Sequence, residues 1–305
     1  MDSRPNFHPR HWPGWLSVAF IEVAARVSPL WAHRICRLIA PLLLKLLKKR
    51  RHIAEINIAH CFPERSPAWQ QQLLRQHFYS VSLMLFESAW TWSSRPLSRQ
   101  LCVEIHGAEH LEQHTDTPIL LMSGHMSCMD LGSRFLGEYL RLNLGRSQKT
   151  AGVYRPLRSP VLEWYHTRGR LRFTDAMISK YKVKQLMRYL QSGAMVWYAA
   201  DQDFGAERSL FVPFFGHQTA TLKASWLLIR RSQATVLTMF PQRLSPGRYR
   251  IDIGPPIHWQ EGMEISAFLG EVNQRIEAAV RQAPAQYWWL HRRFKTRPEG
   301  QAAWY

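Results

Sequence analysis

The chain has 305 residues, of which 46% are hydrophobic, so it can bury the core of one large domain or of two small ones. Lys and Arg number 40 against 22 Asp and Glu, and the net charge of +18 predicts an anionic partner: a nucleic acid, a phosphorylated metabolite or an acidic membrane surface. Thirteen tryptophans favour the membrane surface, although aromatic side chains also stack on RNA bases. The four cysteines are scattered without a CxxC pair, which argues against a disulfide framework.

The N-terminal segment combines two apolar stretches with a basic cluster. The stretches cover residues 15–27 and 35–47, and charged residues interrupt both. Neither reaches the roughly 18 uninterrupted apolar residues of a spanning helix, so the first is either a marginal span or a helix lying in the interface. We predict a membrane-anchoring helical segment over residues 1–51; a core helix beside a solvated charge run is the alternative. The basic cluster, which suits anionic headgroups on the cytoplasmic side, consists of Lys45, Lys48, Lys49, Arg50 and Arg51.

Residues 52–305 are predicted to form one folded domain. Ser66 and Pro67 begin a helix that runs to about Trp92, since a serine cap followed by proline is typical of a helix start. Beyond it, short apolar runs alternate with helical patterns, which predicts an α/β layered fold. The predicted strands cover 103–105, 119–122, 152–154, 195–199, 235–240 and 250–253. The predicted helices cover 127–140, 160–169, 183–190, 220–231 and 265–282.

The stretch SGHMSCMDLG, residues 123–132, follows a predicted strand and holds candidate catalytic residues. His125 is a candidate base, and Asp130, on the first turn of the next helix, would fix its tautomer and stabilise the imidazolium. Ser127 and Cys128 are candidate nucleophiles, although the stretch lacks the G-x-S-x-G elbow. The alternative is a histidine that fills a polar position near a helix start.

Three further stretches carry candidate binding residues. Arginines concentrate at 155–172, where they form either an anion site or a basic surface. VWYAADQDFG ends a buried strand with Asp201 and Asp203, and acids at this position either face a cleft or cap the next segment. FVPFFG, residues 211–216, is predicted to be an apolar loop that lines an acyl-chain groove or packs in the core. The absence of HExxH, GxGxxG and P-loop motifs predicts no metal and no nucleotide cofactor.

Together, these motifs resemble those of the late acyltransferases of lipid A biosynthesis, of the lauroyltransferase type, within the wider lysophospholipid acyltransferase superfamily. The resemblance spans nearly the whole chain. It rests on NIAHCFPE (57–64), the HxxxxD box (125–130), GVYRP (152–156), RGRLR (168–172), WYAADQDFG (197–205), FVPFFG and QYWWLHRRFKTRPEG (286–300). Two features depart from the family pattern: Asp130 stands where many members carry glutamate, and a longer insert, RLNLGRSQKT (141–150), precedes Ala151.

The resemblance implies a mixed sheet flanked by helices and an enzyme of the bacterial inner membrane that faces the cytoplasm. Such enzymes need no cofactor and transfer a fatty acyl group from acyl carrier protein to a hydroxyl on a 3-hydroxyacyl chain of a phosphorylated lipid A precursor. By position, His125 matches the family's base and Asp130 the acid that supports it. The resemblance also implies direct transfer to the acceptor hydroxyl, so we predict that neither Ser127 nor Cys128 is a nucleophile. Arg170 and Asp201 match two further functional residues, and Arg155 matches an arginine proposed to hold phosphate.

Three points stay open at the level of sequence. A glycerophospholipid acyltransferase would use the same box, and a non-enzymatic basic protein that binds membranes or RNA would share the composition. We expect the partners to be acyl carrier protein, the lipid A precursor and an anionic membrane surface, and not a nucleic acid. The donors for the developing oxyanion are not specified, and the backbone amides near the box and Arg170 are candidates.

Overall fold

The computed structural model of the protein describes residues 4–143 and 148–305; part of the insert, 144–147, lies outside the described residues. The helices are α1 (Trp12–Ala24), α2 (Pro29–Leu46), α3 (Lys48–Cys61), α4 (Pro67–Trp92), α5 (Glu109–Glu112), α6 (Met129–Asn143), α7 (Pro160–Arg170), α8 (Val183–Gln191), α9 (Ala224–Ser232) and α10 (Ile265–Gln282). The strands are β1 (Cys102–His106), β2 (Ile119–Ser123), β3 (Thr150–Tyr154), β4 (Ala176–Ser179), β5 (Met195–Ala199), β6 (Ser209–Phe214), β7 (His217–Leu222), β8 (Thr235–Ser245) and β9 (Arg248–Ile257).

A seven-stranded mixed sheet in the order β1-β9-β8-β2-β5-β3-β4 organises the fold. β8 and β9 are antiparallel, and the other neighbouring strands run parallel. Every residue of β2 is buried, because a central parallel strand is covered on both faces. Leu120 and Met122 belong to one hydrophobic core, and Ile119 and Leu121 to the other. The predicted α/β fold with a mixed sheet flanked by helices is confirmed.

Most predicted elements are present; the differences are α5, β4 and the region of β6 and β7. Ser66 caps α4 by accepting a hydrogen bond from Trp69 N at 3.3 Å, as its sequence predicts. β4 was not predicted, because it has four residues and only one of them is buried. The helix predicted from residue 220 begins at Ala224, since residues 217–222 form β7.

The predicted loop FVPFFG is wrong: it is most of a strand and its turn. β6 and β7 form an antiparallel hairpin in which Phe214 pairs with His217. Phe215 and Gly216 both have positive φ, 50° and 75°, which gives the two-residue turn that suits the twist of a hairpin. Val212, Phe214 and Phe215 are buried in the core, so the core alternative for this stretch is the one observed.

The N-terminal helices pack on the rest of the chain. α2 lies along α4, with His33 Nδ1 and Tyr79 Oη 2.6 Å apart. α1 contacts α7, where Tyr165 Oη donates to Glu22 Oε1 at 2.6 Å. The predicted boundary after residue 51 falls inside α3. Among the described residues, no helix combines the length and the apolar character needed to cross a bilayer.

Candidate active site

The site forms where the carboxyl ends of β2 and β5 lie side by side. Ser123, the last residue of β2, pairs with Ala199, the last residue of β5. His125 and Asp201 each follow two residues later, so the parallel register brings them together although they are 76 positions apart. Reactive groups commonly lie at this edge of an α/β sheet.

Asp201 holds His125 by two hydrogen bonds. The imidazole Nδ1 lies 2.5 Å from Asp201 Oδ1, and the backbone N of His125 donates to Oδ2 at 2.8 Å. Asp201 is 2% exposed and the His125 side chain 26%. Because Nδ1 donates to the carboxylate, Nε2 carries the lone pair of the neutral ring and can accept a proton.

The pair also sets the charge state of both residues. Burial alone would lower the pKa of His125, but the charge of Asp201 and its hydrogen bond raise that pKa above the ordinary value. Burial would raise the pKa of Asp201, but the ion pair with His125 holds that pKa well below its usual range. Asp201 is therefore a carboxylate that strengthens His125 as a base.

Asp130 bonds to Arg170 and not to His125. Its carboxylate accepts hydrogen bonds from the Arg170 guanidinium and, at 3.2 Å, from Trp92 Nε1. Asp130 lies on the first turn of α6 and Arg170 is the last residue of α7, so the pair links two helices. The predicted pairing of His125 with Asp130 is wrong, because strand register places Asp201 at the imidazole instead.

A cavity of about 460 Å³ opens at this edge of the sheet. His125, Asp130, Arg170 and the exposed Arg155 line it, so four of the five predicted site residues share one space. Asp201 is not among the lining residues and acts on the cavity through His125. The apolar wall comes from α6, the strands β2, β3, β4 and β5, and the segment between α7 and β4. Its residues are Leu121, Met129, Leu136, Leu140, Val153, Phe173, Met177, Met195 and Trp197.

Ser127 and Cys128 turn away from the cavity. Ser127 Oγ lies 2.7 Å from Ser80 Oγ in the interior. Cys128 Sγ donates to the carbonyl oxygen of Pro241 at 3.4 Å, and burial raises the pKa of its thiol to about 12. A buried protonated thiol is a poor nucleophile. This geometry supports the prediction that neither residue forms a covalent intermediate.

The C-terminal segment holds the turn that carries His125. Trp288 N donates to the carbonyl oxygen of His125 at 2.9 Å, and Ser127 N donates to that of Gln286 at 2.7 Å. Met126 and Tyr287 form an isolated antiparallel bridge between these two bonds. Residues 286–288 are therefore the brace of the turn that carries His125, called the catalytic turn below, a role that the spacing of these residues did not indicate.

Three cavity residues escaped the sequence analysis. Gln202 Nε2 lies 3.1 Å from His125 Nε2, and Lys180 Nζ lies 4.8 Å from the centre of the Phe204 ring. Burial lowers the pKa of His291 to about 4, so this histidine stays neutral. Gln202 was detectable, since it stands between the two aspartates of VWYAADQDFG. Lys180 follows β4, the strand that was not predicted.

Comparison with known proteins identifies the class of protein. The sequence profile described as "Bacterial lipid A biosynthesis acyltransferase" matches residues 3–296. The lipid A biosynthesis lauroyltransferase of Escherichia coli (strain K12) is 34% identical over 96% of this chain and 94% of its own length. The palmitoleoyltransferase of the same strain is 32% identical over 99% and 97%. A crystal structure of the 1-acyl-sn-glycerophosphate acyltransferase of Thermotoga maritima is only distantly similar: TM-score 0.40, 13% identity, 91% of this chain and 100% of that chain.

The protein is thus an acyltransferase. It belongs to the family of bacterial lipid A biosynthesis acyltransferases. Family membership sets aside the hypothesis of a non-enzymatic membrane or RNA-binding protein.

The two aspartates are expected to affect the pH profile differently. A general base must be neutral, so the predicted role of His125 implies that activity rises with pH through the pKa of His125. Asp201 raises that pKa, and Asp201→Asn should therefore move the acid limb of kcat to lower pH and reduce kcat by roughly 10²–10⁴-fold. Asp130→Asn should leave the limb in place, because Asp130 bonds to Arg170. If Asp130→Asn moves the acid limb of kcat and Asp201→Asn does not, Asp130 and not Asp201 is the partner of His125 in the reaction.

Proposed function

We propose that the protein transfers a fatty acyl group from acyl carrier protein to a hydroxyl on a 3-hydroxyacyl chain of a phosphorylated lipid A precursor. The observation that carries this proposal is the His125–Asp201 pair beside a cavity that is apolar along one wall and basic at its exposed side. The printed names of the relatives, a lauroyltransferase and a palmitoleoyltransferase of lipid A biosynthesis, agree with such a substrate pair.

In the proposed reaction, His125 acts as a general base. Its Nε2 takes the proton of the acceptor hydroxyl while the hydroxyl oxygen attacks the carbonyl carbon of the thioester. Asp201 keeps Nδ1 protonated and stabilises the imidazolium that forms. When the tetrahedral intermediate collapses, the carbon–sulfur bond breaks and the imidazolium returns the proton to the leaving thiolate. No acyl-enzyme is required.

The apolar wall supports a fatty acyl chain as the transferred group. The lining residues of α6 extend from Met129 to Leu140, a distance of about 16 Å at 1.5 Å per residue. Leu136, Met195 and Trp197 face the same space. Burial of an acyl chain here removes apolar surface from water and contributes roughly 25 cal/mol per Å² to the free energy of binding.

The basic side supports anionic substrates. Arg50 and Arg155 are exposed and line the cavity, and the half-buried Lys180 also lines it. We assign Arg155 to a phosphate of the acceptor, because its guanidinium fork fits phosphate oxygens. Arg170 is held in place by Asp130 and also faces the cavity, where it contacts the acceptor. The positive charge around this opening also suits the acidic acyl carrier protein.

We further propose that residues 1–51 attach the protein to the inner membrane, with the site on the cytoplasmic side. Large apolar side chains are exposed along α1 and α2 and would enter the interface beside the basic cluster. These side chains are Trp12, Leu16, Phe20, Val23, Leu30, Trp31, Leu38, Leu42 and Leu46.

Substitution of the exposed side chains is expected to release the protein from membranes. Phe20→Glu with Leu38→Glu removes two apolar contacts worth about 1.5–3 kcal/mol each and adds repulsion from anionic lipid. High salt should not release the unchanged protein, since screening weakens only the charge contribution. Leu142→Glu on α6 is the matched control, because Leu142 and Leu38 are both 80% exposed. Sedimentation with anionic vesicles measures the outcome, and complete release by salt alone would contradict it.

The function itself is tested by a competition between acceptors. The purified protein receives an acyl-loaded acyl carrier protein together with a phosphorylated lipid A precursor and lysophosphatidic acid, and mass spectrometry identifies the product. We expect the precursor to gain one acyl chain. Acylation of lysophosphatidic acid alone would establish the glycerophospholipid alternative. Mass spectrometry of lipid A from a strain that lacks the protein should show the same missing chain.

A further inference from the structure

Three backbone amides of the catalytic turn, those of residues 125–127, already have hydrogen-bond partners. His125 N donates to Asp201 Oδ2 at 2.8 Å, Met126 N to the carbonyl oxygen of Gly124 at 2.9 Å, and Ser127 N to that of Gln286 at 2.7 Å. The other candidate donor, Arg170, bonds to Asp130 through Nη2 and is assigned above to the acceptor. The oxyanion of an acyl transfer nevertheless needs a hydrogen-bond donor about 3 Å away.

A side-chain donor stands directly at the reacting nitrogen. Gln202 Nε2 lies 3.1 Å from His125 Nε2. Because His125 Nδ1 donates to Asp201, its Nε2 is the acceptor and the Gln202 amide is the donor. This amide occupies the position that the acceptor hydroxyl takes when it gives its proton to His125.

We propose that Gln202 is a catalytic residue that donates a hydrogen bond to the thioester oxyanion; this inference rests on the proposed function. The incoming hydroxyl donates a hydrogen bond to the lone pair of His125 Nε2 and displaces the Gln202 amide by one hydrogen-bond length. The displaced amide then lies beside the carbonyl that the hydroxyl oxygen attacks. As the carbon–oxygen bond forms, the carbonyl π pair moves to oxygen, and the amide N–H stabilises that charge until the carbon–sulfur bond breaks.

The backbone around Gln202 is fixed on both sides, as an oxyanion donor requires. Asp201 is bonded to His125 on one side. On the other, the Asp203 carboxylate accepts hydrogen bonds from Thr296 N at 2.7 Å, Thr296 Oγ1 at 2.8 Å and Gly205 N at 2.9 Å. Donors held in this way need no reorganisation at the moment of reaction. Asp203 therefore serves as the anchor of this loop.

The hydrogen bond from Gln202 to His125 also affects the pKa of His125, which a purely structural residue would not change. Donation from Gln202 favours the neutral form of His125, so removal of the amide should raise the pKa of His125. The acid limb of kcat/KM, which reports the free enzyme in which Gln202 bonds to His125, would then move to higher pH, opposite to the shift expected for Asp201→Asn. In Gln202→Glu, an isosteric carboxylate would raise that pKa further and repel the oxyanion.

The experiment compares the variants Gln202→Ala, Gln202→Glu and Gln274→Ala. Their steady-state rates are measured while the concentrations of acyl-loaded acyl carrier protein and of the acceptor are varied. Gln274 is exposed on α10 and serves as the control. We expect Gln202→Ala to lower kcat by roughly 10²–10³-fold with KM little changed, and Gln202→Glu to lower kcat further. In both variants the acid limb of kcat/KM should move to higher pH. Circular dichroism confirms that the variants are folded.

The inference is overturned if Gln202→Ala keeps kcat within a few-fold of the unchanged protein, or if only KM rises. Failure of the proposed function is a separate result: the unchanged protein would then not acylate the lipid A precursor at all. If lysophosphatidic acid proves to be the acceptor, the Gln202 variants are measured with lysophosphatidic acid, and the same changes in kcat and KM support or overturn the role of Gln202.

Discussion

Replacement of His125 by alanine is expected to lower kcat by at least roughly 10²–10⁴-fold while the protein stays folded. The imidazole is the group in the cavity whose Nε2 can take the hydroxyl proton, and it bonds to Asp201 behind it. The side chain is 26% exposed, so its removal leaves the cores intact. Transfer assays and thermal unfolding measure the two effects separately.

The control for this prediction is Cys128→Ala. Cys128 is buried, lies outside the cavity and carries a thiol whose pKa burial raises to about 12, so activity should stay within a few-fold. Direct transfer also requires both substrates to be bound together, which excludes ping-pong kinetics. An acyl chain trapped on Cys128, together with an inactive Cys128→Ala, would overturn the assignment.

The loss of either partner of the buried pair Glu87–Arg243 is expected to cost about 3–5 kcal/mol in the free energy of unfolding. Glu87 lies on α4 and Arg243 on β8, and their side chains are 1% and 6% exposed. Arg243 Nε and Nη2 donate to the two carboxylate oxygens at 2.7 and 2.6 Å, and Tyr249 Oη donates to Glu87 at 2.8 Å. A single alanine leaves the other charge in the interior without its partner.

Urea unfolding of three variants tests this prediction. Glu87→Ala and Arg243→Ala should each show the full loss, whereas Glu87→Leu with Arg243→Met should recover most of the stability, because well-packed apolar side chains replace a buried ion pair at little cost. Arg248→Ala is the control: its partner Glu104 is 3.0 Å away and both are exposed, so the loss should stay below about 1 kcal/mol. Equal losses at both pairs would show that burial is not the cause.

Four of the five residues that the sequence analysis assigned to the site line one cavity, whereas the predicted pairing of His125 with Asp130 was wrong. His125 and Asp201 were both identified because each follows an apolar strand. Their contact depends on β2 and β5 being neighbours in the sheet, and strand order is a property of the whole fold that local spacing does not contain. The five-residue spacing to Asp130 suggested a local partner, but the strand register supplied a distant one.

In the fold as well, features set by local sequence were predicted, and features set by contacts between distant segments were missed. The helix Ile265–Gln282 was predicted at both ends from its 3.6-residue period. The hairpin of β6 and β7 was missed because FVPFFG is apolar without alternation, and its turn uses Phe215 at positive φ, a conformation that phenylalanine rarely adopts. The cavity was not predictable in shape, since its lining comes from elements far apart in the chain.

Because the brace lies near the C-terminus, the catalytic turn is completed only late in the synthesis of the chain. The residues that hold His125 and Ser127 are Trp288 and Gln286, and Gln286 is made 158 positions after Cys128. On the ribosome, the sheet edge can form long before its turn is secured. A nascent or prematurely ended chain would therefore carry His125 on a turn that lacks these two backbone hydrogen bonds, and we expect full activity only when translation has passed the brace.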